Sequence, residues 1–117
     1  RSTFIVAGGG ELEGALDARN IVCSGDTSAE AMREKAQCVV NLMKERLSYL
    51  GNHESLSQIN VYTAHDLREL LSREVIPGLP SAAQLGVHWH YSYPPVHDIE
   101  FEMDLRGVVK ELIIDLS

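Results

Sequence analysis

The sequence predicts an α+β domain of two layers, a mixed β-sheet with two helices on one of its faces. Three observations lead there: a long amphipathic helix behind a capping motif, a second and shorter helical stretch, and strand-like runs before, between and after them. At 117 residues the chain is expected to form a single domain over positions 1–117, with one hydrophobic core and a large remaining surface that oligomerisation would partly cover. It starts at Arg1 and enters an apolar run at once, so an upstream N-terminal strand or preceding segment is expected to be missing.

Phe4-Ile5-Val6-Ala7 reads as a short buried strand that Gly8-Gly9-Gly10 ends in a turn. No GxGxxG or GxxxxGK(S/T) pattern follows, so these glycines do not indicate a nucleotide site. Ile21-Val22-Cys23 is a second apolar run, expected to form a hairpin with the first. Thr27-Ser28-Ala29-Glu30 fits a capping box, in which the Thr hydroxyl and the Glu carboxylate accept backbone N–H groups orphaned at a helix start. Met32, Ala36, Val39, Val40, Met43, Leu47 and Leu50 then recur at helical spacing up to a stop at Gly51. Ile59-Asn60-Val61-Tyr62-Thr63 alternates as a half-buried strand. Asp66 caps a shorter helix carrying Leu67, Leu70, Leu71 and Val75, which Pro77-Gly78-Leu79-Pro80 ends. Two more alternating strands, Ala83 to Tyr91 and Ile99 to Leu105, flank a proline-rich loop, and Val108 to Leu116 extends the last strand or forms another.

Composition narrows the function. With 44% apolar and 23% charged residues the chain reads as a soluble globular protein, expected in the cytoplasm. A net charge of −7 opposes phosphate-backbone binding, which relies on clustered Lys and Arg, so no nucleic-acid partner is expected. No apolar run approaches the roughly 20 residues that span a bilayer, so no membrane partner is expected either. Cys23 and Cys38 lack metal or redox spacing and read as reduced, packed thiols.

Side chains of a strand point alternately to opposite faces. Leu85, Val87, Trp89 and Tyr91 therefore belong against the helices, and Gln84, Gly86, His88 and His90 on the other face. Ile99, Phe101, Met103 and Leu105 likewise turn inward and leave Glu100, Glu102, Asp104 and Arg106 opposite. If the two strands are antiparallel neighbours, His88, His90 and Gln84 share one face with the carboxylates. Such a face is solvated, covered by another subunit, or the lining of an interfacial pocket. His-x-His beside a glutamate has the ligand types of a zinc or iron centre, yet the third ligand is unassigned and no metal is expected. No GxSxG elbow supports a serine nucleophile. Capping accounts for Asp66 beside His65, while His53 and His97 read as loop residues.

The chain resembles the Rid superfamily, the YjgF or reactive-intermediate deaminase family. "FIVAGG" is similar to the family's "FVSGQ", "SGDTSAEAMREKAQCVVNLMKERLSYLG" to "GGDIEEQTRQVLENLKAILEAAG", and "INVYTAHDL" to "TTVFLTDMDDF". "PGLPSAAQLGV" is similar to "PGPPARSTVGV" and "IEFEMDLRGV" to "VEIEVVAV", in the same order. The resemblance implies a chorismate-mutase-like fold, a homotrimer whose sheets form a central barrel, and small-molecule pockets between subunits. It also implies hydrolysis of reactive enamines or imines, or of 2-aminomuconate, without a cofactor. By the same resemblance Gly8 shapes the pocket and Glu102 orients or activates water, as a general acid–base carboxyl must. Ala82 stands where the family has a carboxylate-binding arginine, Gly9 replaces a glutamine, the strand carrying a pocket tyrosine is absent, and the loop after Val87 is longer. These departures point to an unusual substrate, with His88 or His90 moving protons, Arg106 replacing the lost arginine, and Gln84 and Tyr93 contacting substrate. The alternative is a ligand-binding or assembly module that keeps the scaffold without the chemistry.

Overall fold

The computed structural model describes residues 3–13, 20–49, 54–80, 82–94 and 98–109. A four-stranded mixed sheet is built from β1 (Thr3–Gly10), β4 (Glu54–Tyr62), β5 (His88–His90) and β6 (Glu102–Val109), in the order β1-β6-β4-β5. β6 runs antiparallel to both its neighbours, and β5 runs parallel to β4. A separate two-stranded ribbon pairs β2 (Leu12–Glu13) with β3 (Asn20–Ile21). The expected hairpin is thereby corrected: the apolar run at Ile21 pairs with Leu12, and β1 pairs with the distant β6. The glycines do not end β1 either. It passes through them, with a break in register between Val6 and Gly9.

Helix α1 (Ala29–Ser48) buries Met32, Ala36, Val39, Val40 and Met43, as the spacing predicts. Its cap sits one residue later than expected. Ser28 is the N-cap and accepts the Ala31 N–H, while Asp26, not Glu30, accepts the Ser28 N–H. The expected stop at Gly51 lies outside the described residues. Asp66 does cap α2 (Leu67–Leu70), where Arg68 holds its carboxyl down to about 2. The helical path continues through a π-type turn at Leu71–Val75 into α3 (Ile76–Gly78). Pro77 has no N–H to offer the preceding turn, and the wider turn lies immediately before it. Leu67, Leu70 and Val75 join α1 and the inward faces of β4 and β6 in one core, with Ile59, Val61, Phe101, Met103 and Leu105 fully buried.

The strand expected from Ala83 to Tyr91 is half helix. Ala82–Leu85 forms α4, and Gly86 at φ 75° closes it with its N–H on the Ala82 carbonyl. Ala, Gln and Leu favour that turn, and only glycine adopts such a φ at little cost. The remaining β5 is a three-residue edge strand beside β4, not a neighbour of β6. Trp89 and Tyr91 consequently stay 41% and 74% exposed instead of entering the core. Among the described residues no helix is long and apolar enough to cross a membrane.

Candidate functional site

The sheet face away from the helices carries rows of polar side chains set by register. Glu102, Tyr62 and His90 form one row across β6, β4 and β5, and Asp104, Asn60 and His88 form the next. A third row joins Ile5, Arg106 and Gln58. Strand spacing puts Glu102 and His90 roughly 10 Å apart at their backbones, with the Tyr62 ring between them. His88, expected to act beside His90, shares this face by alternation and is exposed.

Gly8 lies against Glu102. A Cβ built at Gly8 would come within 2.7 Å of Glu102 Oε2, so the carboxyl occupies space that any other residue at position 8 would fill. Burial pushes the Glu102 carboxyl up from the ordinary glutamate range, and the negative charges of Asp104 and Glu11 push it further. Half-buried and near a second carboxylate, it holds a proton more readily than an ordinary glutamate, which suits a group that takes and returns protons.

His90 is held from two sides. Its Nε2 is 3.2 Å from Asn60 Oδ1, and its ring stacks on Tyr62 with centroids 4.5 Å apart and planes 17° from parallel. Both supports are tied to Asp104: Asn60 Nδ2 donates to Oδ1 at 2.7 Å and the Tyr62 hydroxyl to Oδ2 at 2.9 Å. Burial raises the Tyr62 phenol above its usual range, and its bond to Asp104 raises it further. Sequence reasoning did not assign roles to Asn60 and Tyr62. Their signal is alternation: with Ile59 and Val61 inward, both must face outward, and asparagine is otherwise disfavoured inside a strand.

Behind the face, Lys35 and Glu11 form a fully buried ion pair at 3.2 Å. Lys35 also donates to the Val22 carbonyl, and Glu11 accepts the backbone N–H groups of Glu100 and Phe101 at 2.8 and 3.0 Å. The pair therefore ties α1 to the segment that delivers Glu102. Sequence reasoning missed it, although a lysine within an apolar stripe demands a buried partner.

The remaining expected site residues are dispersed. Arg106 reaches the open face, and its guanidinium makes no hydrogen bond or ion pair among the described residues. Gln84 is exposed on α4 instead of standing beside His88 on a strand, a result of the helical turn at Ala82–Leu85. Tyr93 packs edge-on against His65, 6.5 Å away, and His65 Nε2 is 2.8 Å from Glu100 Oε1, so Tyr93 belongs to this second group and not to the Glu102 row. Ala82, at the position of the family arginine, is part of the core. His53 and His97 lie outside the described residues. Among the described residues no group of three or more His, Cys, Asp or Glu is placed to hold a metal ion.

A family model described as 2-aminomuconate deaminase CnbZ matches residues 1–112. The 2-amino-5-chloromuconate deaminase of Comamonas testosteroni is 37% identical over 117 residues, which cover 97% of this chain and 46% of that protein. The chain thus spans about half the length of this curated relative. In fold it is similar to a Yersinia pestis protein of unknown function, YyfB of the conserved Rid protein family, with a TM-score of 0.59 at 15% identity over 92% of this chain and 78% of that one. The mixed α+β architecture is therefore that of a Rid protein, and by its sequence the chain belongs to the CnbZ family of 2-aminomuconate deaminases.

Proposed function

We propose that this chain forms the active unit of a hydrolytic, cofactor-free deaminase acting on 2-aminomuconate or a close analogue. One observation carries the reading: a half-buried glutamate with a raised pKa sits against a glycine backbone on an open face, in one row with a tyrosine and a histidine. The substrate enamine first tautomerises to the imine, gaining a proton on carbon and losing one from nitrogen. Glu102 then takes a proton from water as the water oxygen bonds to the imine carbon. His90 or His88 gives the imine nitrogen a proton in the same step. Glu102 then returns its proton to the carbinolamine nitrogen, the hydroxyl proton passes back to the histidine as the C–N bond breaks, and ammonia leaves a keto acid behind. Arg106 supplies a guanidinium for one substrate carboxylate.

Three such chains would enclose the site as a homotrimer with pockets between subunits. Support comes from the uncovered polar face and from Ile5, 64% exposed upon it. The test is ammonia release from freshly generated 2-aminomuconate, with 2-aminoacrylate as the contrast. Turnover of the former above the uncatalysed rate is expected, and no acceleration of either would reject the reaction. The burial of Ala82 where the family has its arginine favours one second reading, a module that binds the acid without turning it over. Saturable binding with no ammonia would identify that case.

Gly8→Val is expected to displace the Glu102 carboxyl and lower kcat by about 10²-fold, the scale of an ångström's misplacement of a reacting group. Steady-state kinetics beside an unchanged circular dichroism spectrum would check it. Unchanged kcat would mean that Glu102 does no chemistry in the position seen.

A further inference from the structure

We propose that Asp104 is a positioning residue that fixes the tautomer of His90 through Asn60, so that Nδ1 becomes the ring nitrogen that exchanges protons with substrate. The inference rests on the reaction proposed above for its catalytic meaning, and on hydrogen-bond directions for its structural content.

An ionised carboxylate only accepts hydrogen bonds. Asn60 therefore turns its Nδ2 toward Asp104, 2.7 Å away, and its Oδ1 must point the other way. That oxygen receives the Gln58 Nε2–H at 3.0 Å and faces His90 Nε2 at 3.2 Å. Since Oδ1 can only accept, the neutral imidazole carries its proton on Nε2. Its lone pair is then confined to Nδ1. At 2% exposure Asn60 has little water available to substitute for these partners, so turning its amide would leave a buried donor facing a donor. Tyr62 fixes the ring plane by stacking and is itself anchored by its hydroxyl on the other oxygen of Asp104. One carboxylate thus determines both which nitrogen is protonated and how the ring lies, as the partner of a catalytic histidine commonly does.

The role is separable from a general need for Asp104 in folding, because it predicts a direction. Uniformly ¹⁵N-labelled protein, held at alkaline pH where imidazoles are neutral, would be examined by long-range ¹H–¹⁵N correlation. Wild type should show a proton on Nε2 alone. Asp104→Leu removes the acceptor and should give a mixture of tautomers, with kcat lowered by roughly ten- to a hundredfold and KM changed less. Asp104→Lys places a donor where the acceptor was, turns the Asn60 amide, and should shift the proton to Nδ1. Asp104→Asn keeps one acceptor oxygen and should restore Nε2–H. A wild-type Nδ1–H tautomer, or an unchanged tautomer in folded Asp104→Leu, would overturn the proposal. The Leu variant decides the matter if the Lys variant does not fold. Absence of turnover by wild type would remove the deaminase reading and leave the tautomer result standing. Normal turnover with an unresponsive tautomer would remove only the role of Asp104.

Discussion

Glu102→Gln is expected to lower turnover of 2-aminomuconate by about 10²–10⁴-fold, the usual contribution of a positioned acid–base group. Glutamine keeps the shape against Gly8 and loses only the ability to take and return a proton. The pH profile should carry the same signature. Burial and the charges of Asp104 and Glu11 raise the Glu102 pKa, so the acid limb of kcat/KM in wild type should lie above the ordinary glutamate range. Activity falls below that limb because the carboxyl is then protonated and cannot act as a base. The effect on stability has the opposite sense: ionising a group whose folded pKa is raised costs folding free energy. Its contribution is full below the unfolded pKa and is lost as pH rises through the folded value. Urea midpoints of wild type should therefore gain on those of Glu102→Gln as the pH falls through this window. An acid limb that persists unchanged in the variant's residual activity would assign that limb to another group.

Lys35→Met should cost about 3–5 kcal/mol of stability, because it leaves the Glu11 carboxylate buried without its cation. Both side chains are fully buried, and water cannot replace the missing partner. Glu11 would still accept the N–H groups of Glu100 and Phe101, which makes the lower part of that range the expected outcome. The double variant Glu11→Gln/Lys35→Met removes both charges and should recover much of the loss. Urea unfolding of the three proteins measures the cycle. A loss below about 1 kcal/mol for Lys35→Met would place the pair in the solvated class of ion pairs. The same variants bear on the site, since Glu11 pins the backbone immediately before Glu102.

How far the sequence discloses this molecule depends on how local each signal is. The stripe of α1, the Asp66 cap and the inward alternation of Ile99, Phe101, Met103 and Leu105 follow from local spacing, and each is found. The partners of strands do not follow from spacing. β1 and β6 lie at opposite ends of the described chain, and nothing near Phe4 or Leu105 encodes their pairing. Alternation misreads Ala83 to Tyr91 because an Ala-Ala-Gln-Leu turn closed by a glycine can imitate a strand's pattern. Having placed β5 beside β6, it also buries Trp89 and Tyr91, which the edge position leaves in the open. At the site, family resemblance singles out Gly8 and Glu102 separately, and their close approach emerges only from the fold. The support beneath His90 is not, because Asn60, Tyr62 and Asp104 meet only once β4 is known to lie between β5 and β6. Lys35 and Glu11 escape for the same reason: each charge looks anomalous alone and makes sense only beside the other.

Substrate is expected to bind on the open sheet face between Glu102 and His90. A structure of the protein with muconate, a dicarboxylate of similar length without the amino group, tests it most directly. Muconate should lie against Gly8, Glu102 and His90, with one carboxylate toward Arg106. Muconate in the cleft between α1 and α2, lined by Thr27, Arg33 and His65, with the sheet face left empty, would contradict it.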